Sequence, residues 1–568
     1  DPRFHAHGAA IKWQHNIPAR WYDEPELRYL LKEEDWSDVG LICWHAQFDG
    51  FILNHHYGVR PRQWFCPMSM SRLLIGNHVS VALDSMRAHF GIKPKITPYN
   101  LFKGRQWHEM DAQTQTAVAD GACDEVESIW QIFGRLAKDF PAEEYEVVDQ
   151  TIRMFTEPQL RGDIDALGAV WEAEAKSKAS RLDALEVTAA ELQSADRFAA
   201  LLREAGVEPE LKNGKNGEIY AFAKTDPFME RLLEDEDDRV RTLAEARLGV
   251  KSTMLQTRAE TLGFATRRGP LPVYLRYCGA HTTRWSGGDG NNWQNMNAAL
   301  EGAILPPEGY VAFAPDSSQI ECRLLNMVAG QANKIAEFRA GLDPYVGVAE
   351  AFCGHPVTKD SHPVLRQAGK VVELQAGYGS GGPKIEATLR RFKVPHTPGD
   401  GERWKAAYRD THPAVTALWK EGNRMIARLA GGDPIQWGPV WVEGGKITLP
   451  NGAPCLYADL HYFKDPETGE AYWRHKTRHG WAKLYGAKLV ENLIQALARV
   501  VISQAMVRLN RLGYRPLNMK HDAIWYALPI DRAAEHAQVI MREMCRVPDW
   551  LPGLPLGAEG KPAARFGK

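Results

Sequence analysis

Arg366, Lys370, Leu374 and Tyr378 stand four residues apart in the stretch HPVLRQAGKVVELQAGYGSGG, from His362 to Gly382. On a helix of about 3.6 residues per turn this spacing makes one slowly spiralling stripe. The stripe carries two cations, then an apolar residue, then an aromatic. That order suits a triphosphate, a sugar and a base, because Arg offers a planar fork to a polyanion and Lys a point charge. An amphipathic helix with a solvated basic edge has the same spacing, so the stripe alone decides nothing.

Two aspartates flank it in sequence. Asp316 follows the apolar run YVAFAP and opens DSSQIECR, and Asp522 sits in NMKHDAIWYAL after His521. Phosphoryl transfer to a growing strand needs carboxylates that hold two divalent metals. Magnesium keeps waters and prefers a few hard oxygens, so two aspartates plus substrate phosphates suffice. Taken singly, Asp316 reads as a helix cap and Asp522 as a turn residue.

The three segments in this order resemble the three polymerase motifs of the family A DNA polymerases, the DNA polymerase I type. Other stretches agree. HTTRWSG (His281 to Gly287) and NNWQN (Asn291 to Asn295) resemble the segment that grips the primer-template minor groove. RLGVKST (Arg247 to Thr253) resembles the backbone-contacting segment of the thumb, and KLVENLIQALAR (Lys488 to Arg499) resembles the helix whose Gln reads the minor groove. Leu374, the GYGSGG ending and a hairpin near Gly452 are similar to the phage-type branch.

The resemblance implies a template-directed polymerase that extends a DNA primer with deoxynucleoside triphosphates. Asp316 and Asp522 bind two Mg2+ ions, which Mn2+ can replace, with the Ser317 carbonyl as an extra ligand. Arg366 and Lys370 hold the triphosphate, and Lys370 protonates the leaving pyrophosphate. Leu374 lies at the sugar, Tyr378 stacks on the nascent pair, and Glu321 is the steric gate against ribose. Arg284 and Gln495 probe minor-groove acceptors that correct pairs share, a check of shape rather than sequence. His521 lies near the primer terminus, and Lys251, Thr253 and Asn295 touch DNA. Three departures stand out: Ser317 where many members carry Tyr, Ala523 where many carry an acid, and Leu374 at an aromatic position.

In the N-terminal third, WHAQFDGFIL resembles the second motif of a DEDD-type 3′–5′ exonuclease, with Asp49 as ligand. DGACDEVESIW resembles the third, with Asp124 as ligand and Asp120 where Tyr is usual. The first-strand DxE pair does not precede GAAIKW, and its strand is expected upstream of Asp1. His45 stands where Asn is common. A proofreader using Mg2+ or Mn2+ and a purely supporting domain both remain open.

The elements that must position these residues form a multidomain α/β and α+β chain. The resemblance implies a right-hand polymerase of palm, fingers and thumb beside a ribonuclease H-like exonuclease domain. The expected division is 1–140 exonuclease-like, 141–268 helical thumb, 269–335 palm, 336–440 fingers, and 441–568 the rest of the palm with a β-hairpin insertion. Strands are expected at Val39–Trp44, Phe51–Leu53, Tyr310–Ala314 and His521–Leu528. A hairpin is expected within 444–465, turning at Pro450-Asn451-Gly452, and a long helix over Val490–Leu512. Between Glu143 and Arg268 only Lys212–Glu218, with two Asn-Gly pairs, breaks the helical pattern, and Glu234–Asp238 reads as a solvated acidic run. Gly377 to Gly382 reads as a helix stop and pivot.

A chain of 568 residues is too long for one core. The net charge of -2 gives no global basic signature, so any nucleic-acid surface must be confined to a cleft. The 8 cysteines form no CxxC, which excludes a zinc ribbon and fits a reducing compartment. No apolar run approaches the roughly 20 residues of a membrane span. A cytoplasmic monomer is expected, that of a host cell if the chain is phage-encoded. Gly377, Gly379 and Gly382 match GxGxxG but follow a helix, not a strand, and no dinucleotide site is implied. His5 and His7 share a strand face and read as structural. Trp285 and Trp293 lie nearest a DNA-contacting segment. A single-subunit RNA polymerase is disfavoured by Glu321, and a decayed, non-catalytic clamp by the joint presence of Asp316, Arg366, Lys370 and Asp522.

Overall fold

The structure, a computed structural model, describes residues 4–567 apart from 215, 216, 234, 236 and 289. Asn216 of the second Asn-Gly pair and Glu234 and Glu236 of the acidic run thus lie outside the described residues. Helix accounts for 51% and strand for 14% of the chain, the mixed α/β class expected. The chain forms two compact units. One comprises 1–158, 272–288 and 313–562, and the other 159–271, 289–312 and 563–568.

In the first unit the N-terminal part holds an antiparallel pair, Gly8–Ile11 with Arg20–Asp23, and a parallel pair, Gly40–Ile42 with Gln63–Phe65. Phe51–Leu53 is not a strand. It lies inside the helix Ala46–Tyr57, which Gly58 ends at φ 72°. A three-residue apolar run carries no period, so only its longer context could separate helix from strand. His5 and His7 precede the first strand, and His7 Nε2 lies 3.0 Å from the Arg105 carbonyl.

The helix Gly486–Arg511 runs through the core and is buried nearly all round, from Leu489 to Leu509. A helix apolar on every face must be central. Its start packs tightly on the helix Pro413–Gly431. A Cβ on Gly486 would lie 2.0 Å from the Trp419 carbonyl oxygen, so only glycine fits there. A buried ion pair ties the same helix to the helix Ala142–Thr156. Arg499 and Glu144 are each 1% exposed, with Nη2 to Oε2 at 2.6 Å. Asn451, in the expected hairpin turn, also donates to Glu144 at 2.6 Å. That hairpin is present as Lys446–Thr448 against Pro454–Leu456, within a four-stranded sheet. A separate three-stranded sheet follows, His461–Lys464, Ala471–Thr477 and Gly480–Leu484.

The second unit is mostly helical. Met254–Thr266 packs along Ile164–Leu185. Phe198, Leu202, Phe228, Met229 and Leu243 are in its core. Leu211–Gly214 pairs with Gly217–Tyr220 as the one interruption expected from the Asn-Gly pairs. Among the described residues no helix is long and apolar enough to cross a membrane.

Candidate active site

The strand Asp316–Ser317 lies between Ala523–Pro529 and Ala558–Glu559, with Asp316 opposite Ala523. Asn518–Lys520 and Ala523–Pro529 form a tight hairpin in which Lys520 pairs with Ala523, so His521 and Asp522 are its two turn residues. His521 takes φ 56°, a left-handed conformation that a non-glycine residue adopts at a cost of about 1 kcal/mol or more. The turn sets Asp522 beside Asp316, and the Ser317 N–H donates to the Asp522 carbonyl at 3.2 Å.

Burial pushes the Asp522 carboxyl up to about 7, and the like charge of Asp316 adds to it. Two carboxylates held together away from water are costly unless a cation joins them. The Ser317 hydroxyl is also buried without a hydrogen-bond partner. A hard divalent cation such as Mg2+ fits this oxygen-only set. Among the described residues no group of three or more His, Cys, Asp and Glu is placed to hold a metal.

Glu321 lies in the first turn of the helix Ile320–Ala329. Its carboxylate accepts from Arg284 at 2.7 Å and from the Tyr378 hydroxyl at 3.0 Å. It therefore brings together three residues that the sequence separates by almost a hundred positions. Burial first, and Glu321 second, hold the Tyr378 hydroxyl well above its usual range. Gln495 Oε1 accepts from Thr282 at 3.4 Å and its Nε2 donates to Glu491 at 3.3 Å. Arg284 and Gln495 thus flank one short segment.

The stripe is helical over Pro363–Ala376, with Pro at its start, where a missing N–H is harmless. Arg366 Nε donates to Asp343 at 2.7 Å, and Arg366 and Lys370 lie 5.0 and 5.8 Å from the Tyr345 ring centre. Leu374 is 45% exposed. The opposite face is locked. A Cβ on Gly369 would come within 2.1 Å of the Tyr345 carbonyl oxygen. Burial works to raise the Glu373 carboxyl, yet Lys334 and His412 outweigh it and hold it low, with His412 Nε2 at 3.2 Å. Sequence reasoning missed Asp343, Tyr345, Glu373 and His412. Glu373 is a carboxylate at a buried helix position, a signal that becomes readable only once its cationic partner is known. The helix ends at Gly377, and Gly379 takes φ 75°.

No family model matches the chain. A DNA polymerase of Bacillus phage SP02 is 29% identical over 279 residues, 47% of this chain and 42% of the relative. A DNA polymerase of Mycobacterium phage L5 is 25% identical over 56% of this chain and 45% of its own. The thermostable DNA polymerase I of Thermus thermophilus is 24% identical over 52% and 32%. The chain thus spans less than half the length of these curated relatives. Among solved structures, the polymerase domain of Pol1 from M. smegmatis, in complex with DNA primer-template and dNTP, superposes with TM-score 0.69. That match covers 96% of this chain and 90% of that one at 17% identity, and it shows the fold. The chain is thus similar in sequence to phage and bacterial DNA polymerases, and its fold is that of a polymerase domain.

The remaining expected residues are dispersed. Lys251, Thr253 and Asn295 lie in the second unit, all three exposed. Arg258 donates to the Asn295 carbonyl at 3.0 Å. In the same RLGVKST stretch Arg247 faces inward. It is 1% exposed, lies 4.4 and 4.8 Å from the Phe198 and Phe222 ring centres, and donates to the Ser194 carbonyl at 3.0 Å. Trp285 and Trp293 are core residues at 7% and 2% exposure.

The two expected exonuclease ligands have different partners. Asp124 is taken by Arg87 at 2.8 Å, and that guanidinium is 1% exposed and also donates to the Lys93 and Pro94 carbonyls. Burial pushes the Asp49 carboxyl up to about 6, and Glu125, not Asp124, adds repulsion to it. Glu125 itself accepts from Thr97 and from Tyr99 at 2.6 Å. One helical residue separates 124 from 125, which turns the two side chains about 100° apart. A buried arginine already neutralises Asp124, so Asp49 and Asp124 do not fit a shared divalent metal.

Proposed function

We propose that this chain is a template-directed DNA polymerase that extends a DNA primer with deoxynucleoside triphosphates. The observation that carries the reading is Asp316 on its strand beside Asp522 in the neighbouring hairpin turn, with Glu321 joined to both Arg284 and Tyr378. Asp316 and Asp522 would hold the divalent ions, which lower the barrier to attack by the primer 3′ oxygen and steady the pyrophosphate. Arg366 and Lys370 bind the triphosphate, and Lys370 carries the proton that pyrophosphate takes up. Arg366 reaches it by exchanging its Asp343 contact for phosphate. Glu321 occupies the space a ribose hydroxyl would need. Leu374 offers the sugar an apolar surface, and Tyr378, released from Glu321, stacks on the incoming base. Arg284, Gln495 and His521 contact the primer-template near its terminus, and Lys251, Thr253 and Asn295 contact its backbone. Primer extension with a labelled hairpin tests the reading. Asp316→Ala activity near that of wild type would sink it.

For the N-terminal part the reading is support rather than proofreading, because Arg87 stands in the place of a cation at Asp124. The full chain, given a mismatched primer with magnesium or manganese, leaves the primer intact. Excision from the 3′ end would overturn this.

A further inference from the structure

The three-stranded sheet at 461–484 has one face that the catalytic reading does not use. Phe463 pairs with Tyr472, Arg474 with Lys483, and Lys476 with Trp481. Directly opposed residues, and alternate residues along a strand, share a face. These six side chains therefore form one surface of three rings and three cations. On the other face His475 and Leu484 are buried at 5% and 2% exposure, while Tyr462 is 59% exposed. On the outer face the Arg474 guanidinium sits 3.4 Å from the Phe463 ring centre and 4.5 Å from that of Trp481. Lys483 Nζ lies 4.1 Å from the Tyr472 ring centre. Trp481 remains 49% exposed, and the side chains of Lys476 and Lys483 are 51% and 52% exposed. Two carboxylates lie at the rim, Glu470 against Lys483 at 2.7 Å and Asp459 near Lys476 at 3.8 Å.

Lys476 also lines a cavity of about 210 Å³, with Arg72, Asn77, His78, Arg478 and His479. Arg72 is half-buried, and desolvation lowers its affinity for a proton. Among the described residues no carboxylate pairs with it. A shielded guanidinium without an anion is an expensive arrangement, which a phosphate would relieve.

We propose that this sheet face and cavity form a second nucleic-acid site, a stacking platform for single-stranded DNA whose phosphates run toward Arg72. Interleaved rings and cations suit unstacked bases joined by phosphates. Duplex DNA keeps its bases stacked and cannot offer ring faces to the platform. An acidic peptide would match the cations but leave Trp481 without a stacking partner.

The test uses the full chain without magnesium or nucleotides, its catalytic cleft filled by a saturating blunt-ended hairpin duplex. Binding of labelled oligo-dT is then followed by fluorescence anisotropy across a salt series. Wild type binds. Trp481→Ala weakens binding about tenfold, the effect of losing one stacked base. Lys476→Ala combined with Arg478→Ala flattens the slope of log affinity against log salt by about 1.4, two phosphate contacts on a single strand. Melting temperature and hairpin affinity report intact folding, since all three side chains lie at the surface. A long template overhang and a forked displaced strand, titrated separately, name the strand that uses the platform through the loss seen with Trp481→Ala. Equal binding by wild type and Trp481→Ala on every substrate overturns the proposal. So does polyglutamate of matched length binding as tightly as oligo-dT, which would make the face a docking surface for acidic protein.

Discussion

Replacing Asp522 by asparagine removes one negative charge and leaves the side chain's size and shape almost unchanged. The ionised form carries a large penalty, since burial and Asp316 move its carboxyl from 3.8 to about 7. At about 1.4 kcal/mol per pH unit, that displacement corresponds to about 4 kcal/mol above pH 7. Asp316 shares the strain and water relaxes part of it, which leaves about 1–3 kcal/mol to be recovered by Asp522→Asn. In a chain of this size a gain of that order raises the melting temperature by about 1–3 °C. The expected result at pH 8 in chelator is a variant more stable than wild type, read by circular dichroism. Magnesium narrows the gap, because a cation stabilises the two-carboxylate site of the wild type more than the mixed site. The same variant loses at least about a thousandfold in primer extension, since a metal ligand supplies several kcal/mol of transition-state stabilisation. Stability and activity should thus move in opposite directions. A variant that melts at or below wild type in chelator would show that the two carboxylates do not strain one another.

Glu144→Ala strands the Arg499 guanidinium in the core and should cost about 3–5 kcal/mol, seen as a lower urea midpoint; an unchanged midpoint refutes the buried pair. Glu321→Ala removes two charge-assisted hydrogen bonds of about 1.5–3 kcal/mol each, from Arg284 and Tyr378. Deoxynucleotide incorporation should fall by about ten- to a hundredfold. Ribonucleotide incorporation should not fall with it, and preserved discrimination in single-nucleotide assays would deny Glu321 the gate. His281 packs on Tyr457 and His475, and burial first, with neighbouring His475, pushes its ring down to about 3. The unfolded chain takes up its proton near 6.5, so stability is complete above that pH and is lost as pH falls toward 3. The loss reaches about 2 kcal/mol at pH 5, and His281→Asn should flatten the acid limb of a stability profile by that amount. An unaltered limb would place the titration elsewhere.

The placement of Asp316 beside Asp522 was legible in sequence because metal-dependent phosphoryl transfer leaves little choice of residue. An aspartate after an apolar strand and another after a histidine in a hairpin can each be ordinary, but a basic stripe between them constrains all three. The sheet then needs only short-range rules, a two-residue turn and strand alternation, to put them side by side. The residues that hold the stripe were not legible. Glu373 and Lys334 come from two helices and His412 from the break between two more, and nothing in the spacing of one helix states what packs on its back. Tyr345 and Gly369 make the same point through backbone contact. The extra sheet at 461–484 was also missed. Its strands alternate cations with rings, so no apolar period marks a buried face, and the only inward signal is His475 and Leu484.

In the N-terminal part the two expected carboxylates have different partners. Asp49 and Asp124 sit in stretches that match a metal-dependent pattern, and both lie on helices as the pattern requires. Arg87 decides the outcome, and it lies outside either motif. A buried guanidinium fixed by two backbone carbonyls cannot leave when a metal arrives without forfeiting those bonds and exposing a charge. A divalent cation would have to displace it and also recruit Asp49, whose repulsive neighbour is Glu125. The same arithmetic of charge runs the other way at Asp522, whose carboxyl is held high by burial and by the like charge of Asp316. In one part of the chain an arginine has satisfied the carboxylate permanently. In the other the carboxylates remain strained, and strained carboxylates are what a metal-dependent enzyme must keep.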